Sequence, residues 1–372
     1  MTKLFAAVNG EVIESLEENT TPTYTRIHYL LNELKNFEDM EVISISFHLL
    51  PKKGLVSMLY NNVLKTVVAL RSALLLTIYR PLVYFAYPHS LTTVQNRALF
   101  RFCRMLDLKI ILDIHDTIEQ GEAIGTAGSP LNEDQEAYYF KNATMVLALN
   151  KFMWTYLKEK YKICQDIKVV FVPNAYDEKF LELFPEKYKS VPNRCNICYM
   201  GGISKNRGVD MLVEACDKLH SIYPSLKLYL YGPYNHGSSG ELKKKIEESD
   251  FVLQIEVPRK DIPKSLLDMD ILVMPYNPQE KYMDFSSPTK IFEYIGTGKS
   301  ILCSNCRSLL DIGKQGAIIY FDYNESDLAS RMEMLIANPC LRESISEKIM
   351  DLRWEHSWKK RAEVVYEAIK SL

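Results

Sequence analysis

Short runs rich in β-branched and aromatic residues alternate with helical stretches along nearly the whole chain, and this alternation restricts the fold more than any other feature. KLFAAVN, EVISISFH, PLVYFAYP, LKIILDIH, TMVLALN and IKVVFVPN occupy the first half. RCNICYMGG, LKLYLYGP, FVLQIEV, DILVMPY, SILCSNC and AIIYFD follow in the second, separated by helices such as GVDMLVEACDKLHSIY. Parallel strands need a crossover to re-enter the same sheet, and a helix between strands supplies it. The pattern predicts an α/β architecture of two doubly wound units of similar size, divided as residues 1–175 and 176–355 and joined near VPNAYD. With 372 residues, 47 % of them apolar, there is enough apolar surface for two full cores.

Charge excludes one class of partner. There are 45 Lys and Arg against 47 Asp and Glu, and the isoelectric point is about 6.4, so no overall basic footprint for nucleic acid exists. The opening MTKLFAAVNG runs from one lysine straight into a strand pattern without the features of a signal peptide, which predicts a cytoplasmic protein. No uncharged apolar run approaches the ~18 to 20 residues needed to span a bilayer, so no crossing is expected. Eight cysteines fit a reducing compartment. Cys195 and Cys198, like Cys303 and Cys306, have CxxC spacing, but both pairs fall in or beside strand patterns. Strand residues three apart point to opposite faces, so no metal site is expected there.

The charge is unevenly spread. Between Glu41 and Asp107 there is no acid, yet Lys52, Lys53, Lys65, Arg71, Arg80, Arg97, Arg101 and Arg104 lie there. Leu55, Leu59, Val63 and Val67 repeat at i, i+4 in the same region, with Val56, Tyr60, Leu64 and Val68 beside them. Such a stripe is either a helix docked on its own core or a face that rests on an anionic membrane surface. The expected location is therefore cytoplasmic or peripheral on the inner face of the membrane.

Folds of this class bind ligands at the carboxyl ends of their strands. After RCNICYM come Gly201, Gly202, Ile203, Ser204, Lys205, Asn206, Arg207 and Gly208. Glycines let the backbone approach a ligand, and Lys205 and Arg207 are placed to meet phosphate. In PYNPQEKYMDFSSPTKIFEYIGTGKSIL, Ser287 before Pro288 reads as an N-cap with proline at the first helical position. Lys290 falls in the first turn, where a cation opposes the helix dipole and is better explained by an anionic ligand. Glu293 is one turn on, on the same side as Lys290 and Thr289, where its carboxylate can accept bonds from vicinal ribose hydroxyls. An ordinary exposed Lys/Glu pair is the plain alternative. Two nearby patterns are set aside. Gly298-Lys299-Ser300 resembles a P-loop ending, but position 293 is Glu where that motif needs glycine. Asp268 and Asp270 spell D-x-D, with Asp270 reading as a strand-entry residue.

Together, VPNAYD, YMGGISKNRGVDMLVEA, DILVMPY, SSPTKIFEYIGTGKSIL and HSWKKRAEVVYEAI resemble the ordered motifs of family-4 retaining glycosyltransferases of GT-B fold, in a version similar to capsule and O-antigen polysaccharide enzymes. LDIHDT and EAYYFKNATMVLALNKFM extend the resemblance into the first half. It implies two Rossmann-like domains facing across a cleft that holds the active site, with acceptor binding in the first half, donor binding in the second, and residues 356–372 as a last helix, about 358–370, crossing back onto the first domain. Glu293 matches the second glutamate of the family's E-x7-E motif. The place of the first is taken by Phe285, beside Asp284. The family's diphosphate-clamping cations fall on Gly202 and Arg207, so Lys290 is expected to supply the missing charge. His115 falls where the family has a histidine near the donor sugar; otherwise a histidine between Asp113 and Asp116 reads as a structural hydrogen-bonding residue.

The resemblance thus assigns catalysis to His115, Arg207 and Lys290. It assigns donor binding to Gly10, Gly201, Gly202, Arg207, Ser287, Thr289, Lys290 and Glu293. The implied reaction moves a sugar from a nucleoside diphosphate, UDP by expectation, to a hydroxyl of a glycan or lipid-diphosphate-linked acceptor. Configuration is retained, without metal or cofactor. A sugar-nucleotide epimerase of the same architecture and a non-catalytic sugar or nucleotide binding protein are the rival readings.

Overall fold

The apolar runs become strands whose pairings are all parallel, and each unit carries its own sheet. The computed structural model describes residues 1–15, 21–51, 54–124, 131–191, 194–235, 238–280, 282–310, 312–313 and 316–372. One unit comprises Met1–Pro173 with Arg361–Leu372, the other Asn174–Lys360.

In the first unit the strands are β1 (Thr2–Asn9), β2 (Met40–Ile45), β3 (Leu82–Tyr87), β4 (Ile110–Ile114), β5 (Met145–Ala148) and β6 (Lys168–Phe171), ordered β2-β1-β3-β4-β5-β6. In the second they are β7 (Cys195–Met200), β8 (Leu226–Tyr231), β9 (Val252–Ile255), β10 (Ile271–Met274), β11 (Ser300–Ser304) and β12 (Ile318–Phe321), ordered β12-β11-β10-β7-β8-β9. Central strands covered on both faces read as unbroken apolar runs, and β5 and β10 are buried at every position. Edge strands β6 and β9 keep exposed residues. Strand order reverses between β1 and β3, and again between β7 and β10, which places open crevices at the carboxyl ends of those pairs.

The last helix runs Trp358–Lys370. Within the first unit Tyr366 stacks on Phe37, with ring centroids 4.0 Å apart, and Lys168 Nζ donates to the Ala368 carbonyl at 2.7 Å.

The apolar stripe belongs to a helix spanning Gly54–Tyr79, and the reading of it as core-docked is wrong. Its buried residues are Ser57, Asn61, Ser72 and Leu76, while Leu55, Val56, Leu59, Val63, Val67, Leu70, Leu74 and Ile78 face outward. The expectation that no segment is long enough to cross a membrane also needs correction. By length and composition this helix qualifies, because two cations interrupt its apolar run without lowering the mean hydropathy of an 18-residue window below 1.4. Lys52 and Lys53 lie outside the described residues.

The cysteines of both CxxC pairs are buried, and burial pushes Cys195 up to about 12 and Cys306 to about 11, which keeps the thiols protonated. Among the described residues no cluster of three or more His, Cys, Asp or Glu side chains is arranged to hold a metal ion. Asp270 accepts from Tyr188 Oη at 2.7 Å, from the Asn196 amide at 2.8 Å and from Arg194, so it anchors the start of β10. Lys299 is turned inward onto the carbonyls of Leu267 and Met269.

Candidate active site

The crevice of the second unit forms because β7 and β10, distant in sequence, lie side by side, with Ile271 opposite Ile197 and Leu272 opposite Cys198. The loops leaving them therefore meet. Gly208, in the left-handed region at φ 68°, ends the Lys205–Arg207 turn and starts the helix Val209–His220 tight against the Pro275 carbonyl. A third segment is pinned between the two strand ends. In the helix Thr289–Thr297, Tyr294 Oη accepts the Met200 amide at 2.8 Å and lies 3.5 Å from the Val273 carbonyl. Lys290, one turn earlier on the same face, is thereby delivered over Gly201. Gly201 has φ 134°, a backbone conformation that favours glycine, and a Cβ there would run into the Lys290 ammonium.

Two side chains converge on one atom of a third. Arg207 Nη1 donates to Tyr276 Oη at 2.8 Å, and Lys290 Nζ donates to the same oxygen at 2.9 Å. The Tyr199 ring lies 5.8 Å from Lys290 Nζ, and Tyr199 Oη donates to the Gly202 carbonyl. Among the described residues neither Arg207 nor Lys290 has a carboxylate within ion-pair distance. Burial pushes the Lys290 ammonium below its ordinary value; Tyr276 opposes this and Arg207 adds to it. Burial alone would raise the Tyr276 phenol, but Lys290 and Arg207 outweigh it and draw it down. Two basic side chains that share one phenol oxygen at a strand-end crevice, with no carboxylate within ion-pair distance among the described residues, form a site suited to an anion.

The sequence-predicted residues fall unevenly around this point. Gly201, Arg207 and Lys290 lie at it. Gly202 is in the same loop, packed so closely on the Asn235 side chain that any Cβ would collide. Thr289 opens the helix. Ser287 is not its N-cap: Pro288 holds that position, and Ser287 Oγ instead accepts the Asn174 amide at 2.8 Å while Asn174 Nδ2 donates to the Ser287 carbonyl at 2.5 Å. The serine ties VPNAYD to the site helix, and with proline as N-cap no side chain caps the first amides. Glu293 is buried but pairs with Arg259, Nη2 to Oε1 at 3.2 Å, a partner that sequence reasoning missed. Asp284, beside Phe285, pairs with Arg307 at 3.6 Å. Tyr276 was also missed, although its place at the end of DILVMPY, after a buried strand, marks it as a crevice residue.

His115 and Gly10 belong to the first unit. His115 follows β4, and its Nε2 lies 3.0 Å from Asp113 Oδ2. Asp113 also accepts from Arg26 through Nε and Nη2 and from Tyr84 Oη at 2.7 Å, all four side chains being buried. Burial would raise the Asp113 carboxyl, but Arg26 and then His115 outweigh it and hold it below the usual range. This network fixes the ring and leaves His115 Nδ1 buried without a partner among the described residues. Gly10 sits where β1 ends, packed on Ser44 and Ser46 of the β2 edge, which explains glycine there on packing alone.

A family model described as Glycosyl transferases group 1 matches residues 194–338. No curated protein matches the chain. Solved structures resemble it at full length and low identity. A UDP-forming α,α-trehalose-phosphate synthase from Burkholderia xenovorans shares 10 % identity over 100 % of this chain and 99 % of that one, with a TM-score of 0.64. A glycosyltransferase from Rickettsia africae gives 13 %, 100 %, 98 % and 0.62. HepE from Anabaena, solved in complex with UDP-glucose, gives 13 %, 100 %, 100 % and 0.61. The fold is GT-B, with two Rossmann-like domains.

Proposed function

We propose that the chain is a retaining, metal-independent glycosyltransferase that moves a sugar from a UDP-sugar to a hydroxyl of a glycan or lipid-linked glycan. The observation that carries the reading is the pair of basic side chains, Arg207 and Lys290, that meet on Tyr276 Oη at the β7/β10 crevice. The family match across this unit and a full-length likeness to HepE, itself solved with UDP-glucose, support it.

In this reading the diphosphate of the donor lies over Gly201, held by the two cations and by the uncapped amides at the start of Thr289–Thr297. Breaking the bond between the sugar's C1 and the phosphate oxygen builds charge on the leaving diphosphate. Preorganised cations stabilise that charge as it develops, without needing a divalent ion to neutralise it. The departing phosphate takes the acceptor proton on the same face, which retains configuration. Glu293 binds the ribose, and its exchange from Arg259 to the hydroxyls accompanies donor binding.

Incubation with a panel of nucleotide sugars should release nucleoside diphosphate slowly without acceptor and faster with one, in excess chelator as well as without it. Lys290→Ala should lower turnover more than donor affinity. Strict dependence on a divalent ion, or conversion of the donor to an isomeric sugar nucleotide, would overturn the reading.

A further inference from the structure

The helix Gly54–Tyr79 has its amphipathicity reversed. Side chains turned toward the protein are largely polar, and those turned toward solvent are apolar. Asn61 Nδ2 donates to the Leu50 carbonyl and its Oδ1 accepts the Leu50 amide, both at 2.9 Å; Ser72 Oγ turns back to the Val68 carbonyl. On the opposite side Val56, Leu70, Leu74 and Ile78 are each three-fifths or more exposed. Leu49 and Leu50, the latter joined to the inward-facing Asn61, are nearly half exposed as well. A patch of this extent on a water-facing element marks a contact surface.

The cations around it say what is contacted. Arg71, three residues before Leu74 and four after Val67, stands exposed on one flank of the apolar face. The helix Val94–Met105 packs alongside, with Gln95 Nε2 donating to Thr66 Oγ1 at 3.4 Å and Arg80 Nη2 to the Leu106 carbonyl at 2.6 Å. It presents Arg101 and Arg104 to solvent. Residues 42–106 contain no acid at all. A second copy of the chain meeting this face through its own would bring like charges together.

We propose that this face docks onto an anionic lipid surface, with the Gly54–Tyr79 helix lying in the plane of the headgroups. The outward side chains enter the acyl boundary and Arg71, Arg101 and Arg104 meet lipid phosphates. The helix lies flat because both its ends and its polar side are held by the fold: Asn61 grips Leu50, Arg80 grips Leu106, and Lys3 Nζ covers the Tyr79 ring at 4.0 Å. Crossing the bilayer would break all three attachments.

Flotation of the purified full chain with phosphatidylglycerol/phosphatidylcholine vesicles and with pure phosphatidylcholine vesicles, at low and high salt, tests this. The protein should float with the anionic vesicles at low salt and fall at least tenfold at high salt or with neutral lipid. Each cation near such a surface is worth roughly fivefold in partitioning, so the combined Arg71→Gln, Arg101→Gln and Arg104→Gln variant should lose about a hundredfold. Leu70→Glu with Leu74→Glu should lose at least as much. All five positions are exposed, and an unchanged melting temperature and circular dichroism spectrum confirm that the variants fold. Three results would overturn the proposal: wild type that stays below the vesicles throughout, a dimer in solution that Leu70→Glu with Leu74→Glu dissociates, or resistance to alkaline carbonate extraction, which marks a helix that crosses. The measurement uses neither donor nor acceptor, so it stands or falls apart from sugar transfer.

Discussion

Tyr276 is the residue on which the proposed donor site turns, because its single oxygen accepts from both Arg207 Nη1 and Lys290 Nζ. Tyr276→Phe removes the acceptor that the two half-buried donors share, which costs up to about 1.5 to 3 kcal/mol for a hydrogen bond to a charged group. The free protein should melt earlier, while UDP, which restores an acceptor, should raise the melting temperature more than in wild type. Equal shifts in both proteins would show that the diphosphate does not take the phenol's place. Glu293 and Arg259 make a second pair whose partners should behave oppositely. Glu293→Ala should weaken UDP binding at least tenfold by removing ribose hydrogen bonds, whereas Arg259→Ala, which frees the carboxylate, should leave it equal or tighter. Calorimetric titration reads both, and a matching loss in the two variants would make the ion pair itself the binding element. Lys290 was visible in the sequence because a cation in a first helical turn breaks the dipole rule, and Glu293 because it lies one turn on, on the same side of the helix. Tyr276 and Arg259 break no local rule. A tyrosine after a strand and an arginine after a proline acquire meaning only through what the fold sets against them.

At the level of elements, the site depends on how tightly the loop after β7 approaches the helix Thr289–Thr297. Gly201→Ala forces a side chain into a left-handed conformation and into the Lys290 ammonium, so it should lower UDP affinity at least tenfold and destabilise the protein by ~1 to 2 kcal/mol. Gly240→Ala, with open space around the new methyl at the first position of the helix Gly240–Glu248, should instead stabilise by ~0.4 to 1 kcal/mol and leave binding alone. Denaturant melts of the two variants, with and without UDP, separate the local from the general effect of losing a glycine. The register of the helix was missed by one residue, since Ser287 satisfies every local requirement for an N-cap. The competing bond to Asn174, 113 positions away, takes the hydroxyl instead. The Gly54–Tyr79 helix shows the same limit from the other direction. Its i, i+4 apolar spacing fixes that there is a face, and spacing alone does not say whether that face looks inward or outward.

For the whole molecule, acid stability should be set first in the Met1–Pro173 unit. Burial, with His115 nearby, pushes His89 from 6.5 down to about 4, and its ring packs edge-on against Tyr24 at 4.6 Å. The unfolded chain then binds a proton that the folded one refuses, so stability falls as pH drops from ~6.5 and the loss is complete near 4, at roughly 3 kcal/mol. Asp113, held below its ordinary value, loses its own contribution only at lower pH, so the two windows do not coincide. Denaturant titrations from pH 7 to 4 should show a smaller decline for His89→Gln than for wild type. Parallel slopes would show that His89 is protonated in the folded state. The alternation of strands and helices was sufficient, read alone, to establish two parallel-sheet units, because period and crossover length are properties of neighbouring residues. The family motifs pointed to the loop after β7 and to the helix Thr289–Thr297, which the fold brings side by side. What the chain could not state locally was strand order. Only when β10 pairs with β7 do Tyr276, Arg207 and Lys290 meet, and only burial by distant segments decides that Asn61 and Ser72 face the protein while Leu70 and Leu74 face out, since each outcome rests on contacts between residues that the linear sequence keeps far apart.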